Sequence, residues 1–79
     1  MSDEGREPIW ARVNGPGELG AFAREVRERA ELTQEQLAES IGVDRRYVYQ
    51  VESGQGTLSV LRLFALLREL DVEVQVRAR

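Results

Sequence analysis

Apolar residues in the central part of the chain recur at spacings of three and four, a pattern typical of amphipathic helices. A first helix is predicted to begin at Pro16, because proline suits a first turn. Its apolar face consists of Leu19, Phe22, Ala23, Val26 and Ala30. A second helix is predicted over residues 34–40. Thr33 is its expected N-cap, and Gln36 completes a capping box.

A tight turn then leads into a third predicted helix, over residues 45–53. Gly42 permits the left-handed backbone that ends a helix, and Asp44 is placed to cap the next one. Two helices that cross through so short a turn need a small residue where their axes approach, and Ala38 supplies it. The residues expected to fill the core beneath them are Leu37, Ile41, Val43, Val48 and Val51. This layout predicts a helix-turn-helix unit rather than an ordinary helical hairpin.

The fourth predicted helix, residues 58–70, is apolar around almost its whole circumference. Thr57 is its expected N-cap. A helix with this pattern is buried on all sides. So short a chain cannot cover it alone, which favours a partner subunit.

After Leu70 the period changes from 3.6 to 2, which predicts a strand within the C-terminal segment, residues 71–79. The residues predicted on its inner face are Val72, Val74 and Val76. A lone strand leaves its backbone groups unpaired, so it needs a partner. Two partners remain open: an extended arm at residues 9–15, and the same strand of a second copy. The apolar fourth helix favours the second copy and a homodimer.

Composition excludes several kinds of chemistry. The chain has 79 residues with no cysteine and no histidine, which excludes disulfides, thiolate metal sites and imidazole catalysis. Carboxylates such as Glu25 and Glu35 fall on outward helix faces, where a solvated charge is the default. We therefore expect no enzyme, metal or cofactor. No segment approaches the roughly 18 apolar residues of a membrane span, and the N-terminus is too acidic for a signal peptide, so we expect a cytoplasmic protein.

The net charge of −3 argues mildly against a nucleic-acid partner, because phosphate binding requires Lys and Arg. However, residues 1–8 carry three carboxylates against Arg6 and have no apolar periodicity. They are predicted to form a disordered acidic leader that supplies −2 of the charge. The remaining chain is close to neutral.

The third helix offers a polar face suited to reading bases, because Val48 and Val51 are expected to point inward. Arginine can bond guanine O6 and N7, and glutamine can bond adenine N6 and N7. The predicted base readers are Arg45, Arg46 and Gln50, with Tyr49 beside them. The predicted phosphate-contacting residues around this face include Thr33, Asp44, Tyr47 and Ser53.

A resemblance to a known family covers about residues 16–70. Residues 32–54 read Leu-Thr-Gln-Glu-Gln-Leu-Ala-Glu-Ser-Ile-Gly-Val-Asp-Arg-Arg-Tyr-Val-Tyr-Gln-Val-Glu-Ser-Gly, which resembles the signature of the Xre, or Cro/C1-type, helix-turn-helix proteins. The resemblance implies a mainly α, four-helix lambda-repressor-like domain that reads the major groove of double-stranded DNA. It also implies a phosphate contact for Gln34, and an internal salt bridge between Arg27 and Glu52.

The C-terminal strand resembles the HipB-like antitoxin branch, whose dimers pair such strands, whereas most of the superfamily continues with a fifth helix. This resemblance implies a homodimeric, nucleoid-associated repressor of its own operon, bound to a palindromic operator, with a HipA-like kinase-fold toxin as partner. Two alternatives remain open. One is a phage-type repressor or restriction-modification controller, and the other is a protein-binding module with a helix-turn-helix shape.

Overall fold

Residues 9–79 are described by the computed structural model, and this part of the chain folds into four helices flanked by two short strands. In chain order the elements are β1 (Ile9–Arg12), α1 (Pro16–Arg29), α2 (Gln34–Ile41), α3 (Arg45–Glu52), α4 (Leu58–Glu69) and β2 (Gln75–Ala78). The predicted four-helix, mainly α class is confirmed. The predicted leader lies outside the described residues. No helix in the described part is long and apolar enough to cross a membrane.

Local interactions fix the start of α2 and both ends of the turn between α2 and α3. The Thr33 hydroxyl accepts a hydrogen bond from the Gln36 backbone N–H at 3.0 Å, and the Gln36 side-chain oxygen accepts one from the Thr33 N–H at 2.9 Å. Gly42 ends α2 with a φ of 77°, in the left-handed region. Asp44 then caps α3 by accepting from the Tyr47 N–H at 3.1 Å. The predicted capping box and turn are confirmed.

The contact between α1 and α3 depends on a glycine that the sequence analysis did not single out. Gly20 is buried in α1, and a Cβ added to it would lie 2.0 Å from the backbone oxygen of Val51. The two helix backbones therefore touch at this point, and no side chain fits between them. The available signal was a glycine in the interior of an amphipathic helix, next to the apolar Leu19.

The two strands pair with each other inside the chain. They are antiparallel, with Trp10 opposite Arg77 and Arg12 opposite Gln75. The structure therefore pairs the C-terminal strand with the N-terminal arm, which is one of the two partners left open by the sequence. This pairing occupies one edge of β2 and leaves its other edge free. Pairing of strands across a homodimer stays a prediction.

The C-terminal strand also begins later than predicted, at Gln75 rather than Val72. Asp71 adopts a left-handed φ of 60°, and the Val72 N–H is donated to the Leu67 oxygen at 2.9 Å, so these residues end α4. The expected alternation holds for Val74 and Val76, which are half-buried, but Val72 is exposed.

The core is small, and α4 contributes only one buried side chain, Phe64, to it. The buried apolar residues among those described are Val13, Ala38, Val48 and Phe64. The α4 leucines Leu58, Leu61, Leu63 and Leu66, with Leu70 directly after the helix, are 48% to 64% exposed. These exposures agree with the expectation that so short a chain cannot cover this helix alone, and its burial by a partner subunit stays a prediction. Ile41, also expected in the core, is 55% exposed.

Candidate nucleic-acid interface

The outer face of α3 is set by the residues that α3 buries. Val48 is buried and Val51 half-buried, so these two residues mark the inner face of α3. Successive residues turn by about 100° around a helix. Arg46 therefore lies close to the centre of the opposite face, with Gln50 one turn later on the same face. The structure shows both side chains exposed.

The remaining predicted base readers, Arg45 and Tyr49, lie together on one side of Arg46. Arg45 and Tyr49 line a groove whose other walls are the C-terminal part of α1 and the start of α2, where Thr33 and Gln34 are located. The structure thus brings two predicted base readers together with two predicted phosphate contacts. Tyr47 instead lines a separate groove with Gln50, against the first turns of α1 and α4.

Arg24 is a candidate that the sequence analysis did not identify. It lines the same groove as Arg45, from the α1 side. Its guanidinium donates to the Glu28 carboxylate at 3.1 Å, an i,i+4 pair on the exposed face of α1. This spacing is typical of a solvated helix pair, which gave no reason to select Arg24 from the sequence.

A cluster of three side chains, Arg27, Gln34 and Glu52, joins α1, α2 and α3 behind this groove. The Arg27 Nε lies 2.6 Å from Glu52 Oε2, and its Nη2 lies 3.1 Å from Glu52 Oε1. The Gln34 amide donates to Glu52 Oε1 at 3.0 Å. The Glu52 side chain is only 4% exposed and that of Arg27 is 10% exposed. The structure therefore brings together the two residues that the resemblance paired.

The same cluster shifts the ionisation of its members. Hydrogen bonds from Arg27 lower the pKa of the Glu52 carboxyl below its ordinary value, burial acts in the opposite direction, and the Gln34 hydrogen bond adds to the lowering. The hydrogen bond to Glu52 likewise raises the pKa of Arg27. Both groups are therefore charged at neutral pH, and Glu52 is matched by Arg27 instead of facing a phosphate.

The predicted phosphate-contacting residues differ in which hydrogen-bond donors remain available to a ligand. Gln34 gives one amide hydrogen to Glu52 and keeps a second. The Thr33 hydroxyl accepts a bond as a cap, which leaves its own proton available. Ser53 donates its hydroxyl proton to the Gln50 backbone oxygen at 3.1 Å. Asp44 is an acceptor that caps α3 and would repel a phosphate, so its geometry favours the capping role.

Two adjacent arginines lie at the first turn of α3. Arg45 and Arg46 are exposed, and neither forms an ion pair with any of residues 9–79. Both guanidinium groups are therefore free to bond an anion or a base edge. A helix that carries arginine at its N-terminal end and glutamine one turn later matches the way such helices enter the major groove.

Comparisons with known proteins agree with this architecture. Residues 24–76 match the model of a family described as helix-turn-helix. The chain is also 30% identical over 67 residues to the uncharacterized HTH-type transcriptional regulator y4mF of Sinorhizobium fredii (strain NBRC 101917 / NGR234), a match that covers 85% of this chain and 88% of the relative. No solved structure matches the chain significantly. The chain belongs to the helix-turn-helix family.

Proposed function

We propose that this chain is a sequence-specific DNA-binding transcriptional regulator that reads a palindromic operator as a homodimer. The observation that carries the proposal is the placement of Arg46 and Gln50 on the exposed face of α3, in a chain of the helix-turn-helix family. The relative y4mF is named a transcriptional regulator, which supports the same class of function. In a dimer, two such helices about 34 Å apart would read two half-sites.

The first test is a binding titration against the DNA upstream of the chain's own gene, by fluorescence anisotropy over a series of salt concentrations. We expect a preference over scrambled DNA of equal length, and an affinity that falls as salt rises because phosphate contacts release counterions. The proposal fails if the protein shows no sequence preference.

Two substitutions separate base reading from phosphate binding. Arg46→Ala should cost about 1 to 3 kcal/mol of binding free energy and relax specificity at one base pair, whereas Gln34→Ala should weaken binding to all sequences alike. Arg29→Ala is the control for lost positive charge, because Arg29 pairs with Glu25 on the exposed face of α1. Equal losses for Arg46→Ala and Arg29→Ala would contradict base reading by Arg46.

A finer proposal is that the regulator is a HipB-like antitoxin that represses its own operon and binds a HipA-like kinase-fold toxin. Its support is the strand β2, which follows α4 where most of the superfamily has a fifth helix. Co-expression with the neighbouring reading frame tests it. A stable complex with a kinase-fold product is expected, and a neighbouring gene of another kind favours a phage-type repressor or restriction-modification controller.

The alternative is a protein-binding module. Its support is the net charge of −3, which disfavours phosphate binding. Flat DNA titrations together with a tight protein partner would favour this alternative over the regulator.

A further inference from the structure

An exposed leucine stripe runs along α4 on the side opposite to its buried residue. With about 100° between successive residues, Leu63, Leu66 and Leu70 fall within about 60° of the helix circumference. Phe64, the buried residue of α4, lies on the far side. The three leucines are 53%, 53% and 64% exposed, so the stripe faces solvent in the single chain. Val72, 45% exposed, follows directly after it.

Two opposite charges flank this stripe on one side. Arg62 and Glu69 are seven positions apart, so they lie within about 20° of each other around the helix. Both are exposed, and neither forms an ion pair with any of residues 9–79. The surface thus has an apolar centre with a cation near one end of its edge and an anion near the other.

We infer that the leucine stripe of α4 is the homodimer contact, packed antiparallel against the same stripe of a second copy. A two-fold axis near Leu66 sets this leucine against its own equivalent and Leu63 opposite Leu70 of the partner subunit. The same axis brings Arg62 within about one turn of Glu69 of the partner subunit, and the reciprocal pair forms by symmetry. A surface that matches itself in this way is what an isologous two-fold interface requires.

This contact deepens the proposed function, on whose homodimer it rests, and it predicts an interface other than strand pairing through the free edge of β2. β2 already pairs with β1, so its inner edge is unavailable to a second copy. The stripe, in contrast, leaves three large apolar side chains in water, and their burial supplies a driving force for association. The occupant that fits both the apolar centre and the charge order is this chain itself.

Sedimentation velocity over a range of concentrations, without DNA, tests the contact. We expect a reversible dimer whose dissociation constant rises about tenfold or more in Leu66→Gln, because the change falls at the centre of the interface in both copies. Ile41→Gln is the matched control, since Ile41 is 55% exposed but lies on α2, and it should dimerise as the unmodified protein does. Circular dichroism checks that both variants keep their helices.

The charge order is tested by reversal at exposed residues. Arg62→Glu should weaken the dimer, because it places like charges together at both ends of the interface, and adding Glu69→Arg should restore it. A monomeric unmodified protein would overturn the inference. So would an undiminished dimer in Leu66→Gln, which would point to the free edge of β2, or a failure of the double reversal to restore association. The sedimentation experiments contain no DNA, so they test the dimer contact alone. A failure of the unmodified protein to bind its operator would overturn only the proposed function.

Discussion

Glu52 is the residue on which the orientation of α3 depends. It lies in α3, and its two donors, Arg27 and Gln34, come from α1 and α2. A carboxylate that is 4% exposed loses most of its hydration, so it is tolerated only when charge and hydrogen bonds replace the lost water. The cluster therefore fixes the position of α3 relative to the two helices beside it.

Removing the cation of this cluster should be costly. Arg27→Met keeps much of the side-chain volume but leaves Glu52 buried and unpaired, and we expect the free energy of unfolding to fall by about 3 to 5 kcal/mol. Urea denaturation at pH 7 measures the change. Arg24→Met is the control, because the Arg24 side chain is 62% exposed in its pair with Glu28. It should cost less than about 1 kcal/mol, and similar losses in the two variants would contradict the role of burial.

The lowered pKa of Glu52 predicts a loss of stability in acid. Between its lowered folded value and its ordinary unfolded value, the unfolded chain binds more protons, so the free energy of unfolding rises with pH there. The contribution is fully present above the ordinary carboxyl pKa and is lost as pH falls through the folded value. Urea titrations from pH 7 to pH 3 check this. Glu52→Gln should show a shallower decline than the unmodified protein, and an unchanged decline would exclude Glu52 as a source.

Among the contacts between elements, the contact of α1 with α3 at Gly20 leaves no space for a larger side chain. Gly20→Ala places a methyl group against the backbone of Val51, which cannot move without shifting α3. We expect a loss of about 1 to 3 kcal/mol in the free energy of unfolding, together with weaker DNA binding. Gly17→Ala is the control in the same helix, since a Cβ there meets nothing within 4 Å. It should be neutral or stabilising by up to about 1 kcal/mol, and equal effects would contradict the close contact.

The elements that the sequence predicted well are those whose boundaries are set by neighbours along the chain. Thr33 and Thr57 accept hydrogen bonds from the N–H groups three residues later, and Gly42 supplies a left-handed end to α2. Each of these interactions spans only a few residues, so residue type and spacing identify it. The outer face of α3 followed from the same local periodicity, once Val48 was assigned inward.

The elements that the sequence did not settle are those that depend on distant partners. The start of β2 depends on pairing with the N-terminal segment. There the Val13 N–H is donated to the Val74 oxygen at 3.0 Å, although the two residues are far apart in the sequence. Gly20 depends on the backbone of Val51, and the engagement of Gln34 depends on Glu52. Spacing within one segment gives no information on which remote segment packs against it, so these contacts required the three-dimensional structure.

For the molecule as a whole, charge limits what one copy can do. Residues 9–79 carry 10 arginines and 11 carboxylates, once Arg6 and the three carboxylates of the first eight residues are subtracted from the totals of 11 and 14. A nearly neutral domain with two unpaired arginines on α3 gains little from general attraction to phosphate. In the proposed homodimer, two copies on one DNA would supply the additional affinity, and the function of α3 would then depend on the leucine stripe of α4.

This coupling predicts that the dimer variant loses affinity for a full operator while keeping its contact with half of one. Leu66→Gln changes no residue of α3, so its affinity for a single half-site should match that of the unmodified protein. On the palindrome, the unmodified dimer engages both half-sites, and the second contact is made at high effective concentration. We therefore expect Leu66→Gln to bind the full operator about 100-fold more weakly. Fluorescence anisotropy with matched half-site and palindromic duplexes measures both values, with Ile41→Gln as control. If Leu66→Gln also bound the single half-site more weakly, the leucine stripe would be needed for the structure of α3 and not for joining two copies.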